Sequence, residues 1–248
     1  LPGSTWPDEH ILLAGHHDTV HGSPGGNDNA SGTIAVMETA RVLAGLAMAT
    51  GVRPGRTVRF CTWSGEEQKL QGSAEFVRRH YAGPKFNWPE GYGSGSLREG
   101  PEEPPRFALN LDELSTGNVK GVVLNFSHSR EFMQRQLDTL AEGFKCHVLE
   151  HLDPWSDHFP FALAAIESGF LWRWRFVGKH PDSDYHHEPG DTSDKINVRE
   201  LKEYVGFLAR LLLRLSHVPP GDWPQNPETP ERVQARLKAE RPFVPRTM

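Results

Sequence analysis

The sequence predicts one α/β domain, a central, mostly parallel (mixed) sheet with helices on both faces. Three observations lead there. Short apolar runs of strand type alternate with stretches of helical period through most of the 248 residues, an order that builds a parallel sheet covered on both sides. Polar, ligand-type residues recur at or just after the ends of those strands, where the sites of open α/β sheets form. The length suits a single large core, and no internal repeat divides it. The domain is expected over 1–218, with a surface excursion at 83–105 and a Pro-rich C-terminal extension at 219–248.

The first strand is the apolar run 11–14, Ile11-Leu12-Leu13-Ala14. Ser31 is of a type that caps helices, and a helix is expected after it. Its stripe is Ile34, Met37, Ala40, Leu43, Ala44 and Ala47, with Val36 beside, near a period of 3.6; Gly51 and Pro54-Gly55 end it. Residues 56–63 alternate as a strand does, and Ser64-Gly65-Glu66-Glu67 forms the turn at its end. A short helix is expected at 73–80. Residues 83–105 are rich in Gly, Pro, Ser and Glu, without useful period. Strands follow at 107–111, ending in Asp112-Glu113, and at 121–126. An amphipathic helix spans 130–144 and a short strand 146–150. Ser156-Asp157-His158-Phe159-Pro160 reads as a helix start leading into 161–166. Adjacent Ser, Asp and His cannot fan into a catalytic triad, which is a matter of geometry. A strand covers 170–177, and a polar loop runs from Tyr185 to Thr192. The strongest helix, Val198–Ser216, buries Leu201, Tyr204, Val205, Leu208, Leu211, Leu212 and Leu215. One short charged helix, 231–239, lies in the tail.

Composition narrows the function classes. The chain is 37% hydrophobic and carries a net charge of −5, from 27 basic and 32 acidic residues. That balance argues against a nucleic-acid surface, and no apolar run reaches the length of a membrane span. Cys61 and Cys146 set no disulfide framework; two thiols or one bridge are open, and a bridge would suggest export. Leu1-Pro2-Gly3 is not a natural start, so a removed upstream segment is expected.

The stretch from Gly15 to Gly32 organises the rest. His16 and Asp18 form a His-x-Asp at a strand end, in which the Asp holds the ring while the other nitrogen faces a metal. Asp28 lies in a Gly-rich loop at a helix start. Together with Glu67, Asp112 and His187 these give two imidazoles and three carboxylates, a set suited to two divalent ions, with zinc the leading choice and cobalt or manganese as alternatives. One carboxylate can span ions roughly 3.5–4 Å apart, and Asp28 fits that role. Glu66, the spare carboxylate, is the general base. Any one of these residues alone is more often structural; their recurrence at successive strand ends carries the reading. His17 is a neighbour, and His10, His21, His80, His128, His147, His151 and His217 are left structural.

The runs Gly15-His16-His17-Asp18, Asn27-Asp28-Asn29-Ala30-Ser31-Gly32, Gly65-Glu66-Glu67 with Gly72-Ser73, Leu111-Asp112-Glu113, and His187 followed by Asp191-Thr192 resemble the co-catalytic dizinc exopeptidases, the family of bacterial leucyl aminopeptidases and glutamate carboxypeptidase II. The resemblance covers about 11–216. It implies that one metal takes His16, Asp28 and Asp112 and the other Asp28, Glu67 and His187. It implies Glu66 as base, Asp18 as the orienter of His16, Asp191 as a supporting residue, and a cis bond between Asp28 and Asn29. The Ser156-Asp157-His158-x-Pro160-Phe161 segment resembles one that shapes the family's site without ligating. Two positions depart from the pattern. Asn29 stands where many members carry an acid. His186 stands where several carry the Tyr whose hydroxyl supports the tetrahedral intermediate, with Tyr185 one residue earlier.

The expected activity is a metal-dependent exopeptidase acting on peptides, aminopeptidase favoured. The alternatives are a carboxypeptidase for acidic C-terminal residues and a one-zinc, glutaminyl-cyclase-like transferase. A receptor-like protein without catalysis comes last, since that branch has lost ligands. In the 170–177 strand Arg173 and Arg175 share one face and Trp172 and Trp174 the other. The Arg pair, with Tyr185, is a candidate substrate pocket for a carboxylate; the Trp pair would favour apolar residues. Family resemblance alone suggests a secreted or periplasmic setting, and the oligomeric state is not set by the sequence.

Overall fold

The computed structural model describes residues 1–88, 99–114, 119–140, 146–173 and 185–239. Strands β1 (Trp6–His16), β2 (Arg56–Trp63), β3 (Ala108–Asn110), β4 (Val119–Leu124), β5 (His147–Glu150) and β6 (Ser168–Arg173) form one sheet in the order β2-β1-β3-β6-β4-β5. β2, β1, β3 and β6 run parallel, while β4 is antiparallel to β6 and parallel to β5. The predicted mixed, mostly parallel sheet is thus what the chain builds. The helices are α1 (Gly32–Thr50), α2 (Gln71–Val77), α3 (Arg130–Asp138), α4 (Phe159–Leu163), α5 (Val198–Ser216) and α6 (Pro230–Ala239).

Alternation along β1 divides the core in two. Ile11 and Leu13 join the cluster that holds α1, α3 and α5, and Leu12 and Ala14 join the one that holds α2, α4 and α6. A strand buried on both faces reads as a continuous apolar run, which is why 11–14 stands out. β1 also extends back to Trp6, through exposed polar residues and an irregular register against β2. No apolar run marks that part.

The predicted stripe of α1 holds at Leu43 and the adjoining Val36, which are buried, and fails at Ile34 and Met37. The buried side is Gly32, Ala35, Val36, Thr39 and Leu43, whereas Ile34 and Met37 face solvent at 43% and 61% exposure. Small side chains let the helix approach the sheet, and apolar residues on every side hid which face that was. The same composition makes Gly26–Thr50 long and apolar enough to cross a membrane on paper; here its small-residue face packs on β1 and α5. Ser31 stands at the N-cap position of α1, as expected, but its side chain makes no capping bond. Its own backbone is already helical, at the end of a wide turn, Gly26–Ser31, and its hydroxyl donates to the Asn27 carbonyl at 2.6 Å.

The tail packs on the body as far as it is described. Arg56 is fully buried. Its guanidinium lies over the rings of Trp6 and Trp223, and it donates to Glu9 at 2.7 Å and to the Val218 carbonyl. Val233 and Leu237 of α6 join the second core cluster. Cys61 and Cys146 are both free thiols, so the bridge is not formed.

Candidate metal centre

β1, β2 and β3 end at the same edge of the sheet, and the loops leaving them converge there. β1 closes on His16, which is fully buried. The wide turn after it carries Asp28, and the Asp28–Asn29 peptide bond is cis. The turn after β2 carries Glu66 and Glu67. Gly72 lets α2 start against that turn, because a Cβ there would lie 2.2 Å from the Ser64 carbonyl oxygen. β3 leads to Asp112. The loop from Tyr185 closes the group, with His187 at a φ of 61°. Gly26 brings this loop onto the Asp28 turn, where a Cβ would meet Thr192 at 2.7 Å.

Asp28 is the hub. Its Oδ1 lies 3.3 Å from His16 Nε2, and its Oδ2 lies 3.2 Å from both His187 Nε2 and His186 Nδ1. On the first side, His16 Nε2 is also 3.3 Å from Asp112 Oδ1. On the second, His187 Nε2 is 3.3 Å from Glu67 Oε2. Three sets are compact enough to hold an ion: His16, Asp28 and Glu67; His16, Glu66 and Asp112; and Asp28, His186 and His187. The five predicted ligand residues and Glu66 are therefore brought together.

Supporting groups hold these side chains from behind. The Asp18 carbonyl faces His16 Nδ1 at 3.1 Å, and its carboxylate accepts from the backbone N–H groups of Glu66 and Glu67 at 3.2 and 3.4 Å. The Asp191 carboxylate accepts from the N–H groups of Asn27 and Asp28 at 2.7 and 2.9 Å. Asn29, in the position where an acid is common, knits three segments instead. It donates to the Leu111 carbonyl and accepts from the Gly32 and Glu113 N–H groups.

The electrostatics suit a cation. Burial opposes a charged His16, yet the Asp112 carboxylate, with contacts to Asp18 and Asp28, outweighs it and raises the ring's proton affinity. Burial likewise works against ionised Asp28, but the three imidazoles hold its carboxyl well below the usual range. Burial, then the Asp112 charge, pushes Glu66 up to about 10. Burial, then Asp28, pushes Glu67 up to about 7. Carboxylates crowded this closely repel one another, and the buried Glu67 Oε1 has no hydrogen-bond partner among the described residues. Two imidazoles with carboxylate oxygens match the donor preference of zinc, so the residues present fit the ions expected of them.

A cavity of about 700 Å³ opens beside Asp112 and Glu113 and is walled by Val123, Leu149, Trp155 and Phe170. Tyr185 was a candidate for the substrate pocket; its ring packs by Gly190 and under Lys195. Arg173 ends β6, its side chain lies outside the described structure, and Arg175 lies outside the described residues. Sequence reasoning missed Glu113. It is 6% exposed and its Oε1 sits 3.0 Å from His186 Nδ1 and 3.4 Å from the Asn27 amide nitrogen. Its place directly after Asp112 was the available signal.

Comparison with known proteins agrees with this architecture. A probable aminopeptidase of Saccharomyces cerevisiae, YDR415C, is 36% identical over 233 residues, covering 90% of this chain and 56% of the yeast protein. A probable leucine aminopeptidase of Arthroderma benhamiae is 25% identical over 231 residues, 85% of this chain and 56% of the relative. The chain thus spans little more than half the length of either. The solved structure of a zinc aminopeptidase from Bacillus subtilis superposes with a TM-score of 0.59 at 23% identity, over 89% of this chain and 50% of that one, which shows a shared fold. The description of peptidase family M28 matches residues 1–212, and the chain belongs to that family.

Proposed function

We propose that this chain carries the catalytic domain of a zinc-dependent aminopeptidase with two ions. The observation that carries the reading is the division of Asp28, with one oxygen toward His16 and Asp112 and the other toward His187 and Glu67. His16, Asp112 and Asp28 would hold one ion; Asp28, Glu67 and His187 would hold the other. Bound there, the ions would supply acidified water and polarise the scissile carbonyl. Glu66, buried beside Asp112 and next in the chain to Glu67, takes the proton of the attacking water and delivers it to the leaving amine. His186, held by Glu113, offers a hydrogen bond to the oxygen on which charge develops. The cavity beside Asp112 receives a substrate side chain. The names of the yeast and Arthroderma relatives support aminopeptidase action.

The test is a panel of aminoacyl and N-blocked dipeptide substrates, run with and without chelator, beside a zinc count per chain. Cleavage of free-amino substrates, lost to chelator and restored by zinc at two ions per chain, is the expected result. Preferred cleavage of N-blocked peptides ending in glutamate overturns it in favour of a carboxypeptidase. Cyclisation of N-terminal glutamine with one zinc overturns it in favour of a transferase.

A further inference from the structure

On the edge of the sheet opposite the metal centre lies a second cavity, of about 440 Å³, within the range of small-ligand sites. β1, β3 and β6 begin at this edge and the antiparallel β4 ends there. Glu167, the residue before β6, lines the cavity and is 7% exposed. One of its oxygens is taken. Oε2 lies 2.8 Å from His128 Nε2 and accepts from Ser129 Oγ at 2.7 Å. Those contacts tie the segment after β4 to the start of β6, a structural task that accounts for Oε2 alone. Oε1 is buried and has no hydrogen-bond partner among the described residues, and the same holds for Nδ1 of His128, which also lines the cavity. With the Nε2 proton turned to the carboxylate, the neutral ring presents a lone pair at Nδ1. Both atoms are therefore acceptors, and a buried acceptor without a donor is costly.

We propose that this cavity binds a linear aliphatic diamine, with one ammonium group donating to Glu167 Oε1 and the other held at the mouth by Asp8 and Glu103. The charge balance favours a cation. The lining carboxylates are Asp8, Glu9, Glu103 and Glu167, and the lining guanidinium, Arg106, is already bonded to Glu9 at 2.9 Å. Asp8 and Glu103 are exposed while Glu167 is buried, so the acids stand at two depths. Pro105, Ile166 and Trp223, all buried, also line the cavity and offer apolar surface to a methylene chain. A bare metal ion fits less well. Among the described residues, Glu167 and His128 belong to no group of three ligand atoms compact enough to hold one. An ammonium needs only acceptors, and its bond to a carboxylate is charge-assisted. The site shares no residue with the metal centre, so it stands whether or not ions bind there.

The experiment is calorimetric titration of 1,4-diaminobutane into the parent, into Glu167→Gln, and into a double variant carrying Asp8→Asn and Glu103→Gln, each with zinc and after zinc removal. Glutamine keeps an oxygen for His128 and Ser129 but loses the charge that holds the ammonium. The expected result is binding to the parent that is indifferent to zinc, weakened by about 10–100-fold in Glu167→Gln. The double variant should weaken it by about 2–5-fold, as exposed charges do, and the uncharged butane-1,4-diol should not bind. A parent that takes up no diamine overturns the proposal. So does parent-like affinity in Glu167→Gln, the result that attraction to the chain's net charge of −5 would give. Binding that disappears with the zinc overturns it too, since the diamine would then sit at the metal centre. If Glu167→Gln does not fold, the double variant, altered only at exposed positions, decides: parent-like affinity there overturns the proposal.

Discussion

Replacing Asp191 by Asn should damage this protein more than its size suggests. The carboxylate is 1% exposed and receives two backbone N–H groups, from Asn27 at 2.7 Å and from Asp28 at 2.9 Å. Asparagine has nearly the same shape but one acceptor oxygen and one NH2 group. One of the two N–H groups must then face a donor inside the protein. A hydrogen bond to a charged group contributes about 1.5–3 kcal/mol, and a buried donor left without a partner costs about 1–3 kcal/mol. The expected loss is therefore about 2–4 kcal/mol. At roughly 2–4 °C per kcal/mol for a chain of this size, melting should fall by about 4–16 °C. The backbone bond from the Gly26 N–H to the Asp191 carbonyl, at 2.8 Å, survives the substitution, so the change isolates the side chain. Thermal unfolding followed by circular dichroism on zinc-free protein reads the effect. Asp191→Asn melting within 2 °C of the parent would show that these bonds do not hold the Asp28 turn.

Two further outcomes are expected. Glu66→Gln keeps the shape of the side chain and removes its basicity, so zinc content should persist while turnover falls by roughly two to four powers of ten; turnover close to the parent's would remove Glu66 from proton transfer. His10 hydrogen-bonds Tyr81 at 3.0 Å, and burial, then Arg59, holds its ring down to about 4 from an ordinary 6.5. The unfolded chain therefore takes this proton first, so stability is intact above the ordinary value and is lost as pH falls toward 4, by up to about 3 kcal/mol. Urea midpoints between pH 7.5 and 4.5 should fall less steeply in His10→Gln than in the parent, and equal slopes would exclude His10 as a source of acid sensitivity.

The centre was legible because its residues sit at strand ends with distinct chemistry, and the parallel order brings strand ends together. β2 and α5 match their predicted bounds, since alternation and a strong 3.6 period each admit one buried side. α1 resisted for the opposite reason: apolar residues surround it, and the choice of Gly32, Ala35 and Thr39 over Ile34 and Met37 depends on how near the sheet lies. Glu113 and Asn29 escaped because their roles come from partners far along the chain, Glu113 through His186 and Asn29 through Leu111. The hydrogen bond from the Asn110 amide to Ser156 Oγ, at 2.6 Å, is likewise invisible locally, because β4, α3 and β5 lie between the two residues.

The residues around Asp28 come from positions 16, 28, 67, 112 and 187, so no contiguous piece of the chain contains the centre. Closing it requires long loops to be ordered first, and such distant contacts form slowly. Local helices such as α5 can flicker in and out without creating any part of it. Under the proposed scheme each ion would need three of these residues from segments far apart in the chain, so it would bind the finished fold alone and stabilise it by mass action, by about 2.7 kcal/mol at a hundredfold excess over its dissociation constant. Metal supply would then be a factor in how much folded protein a cell retains, quite apart from any turnover.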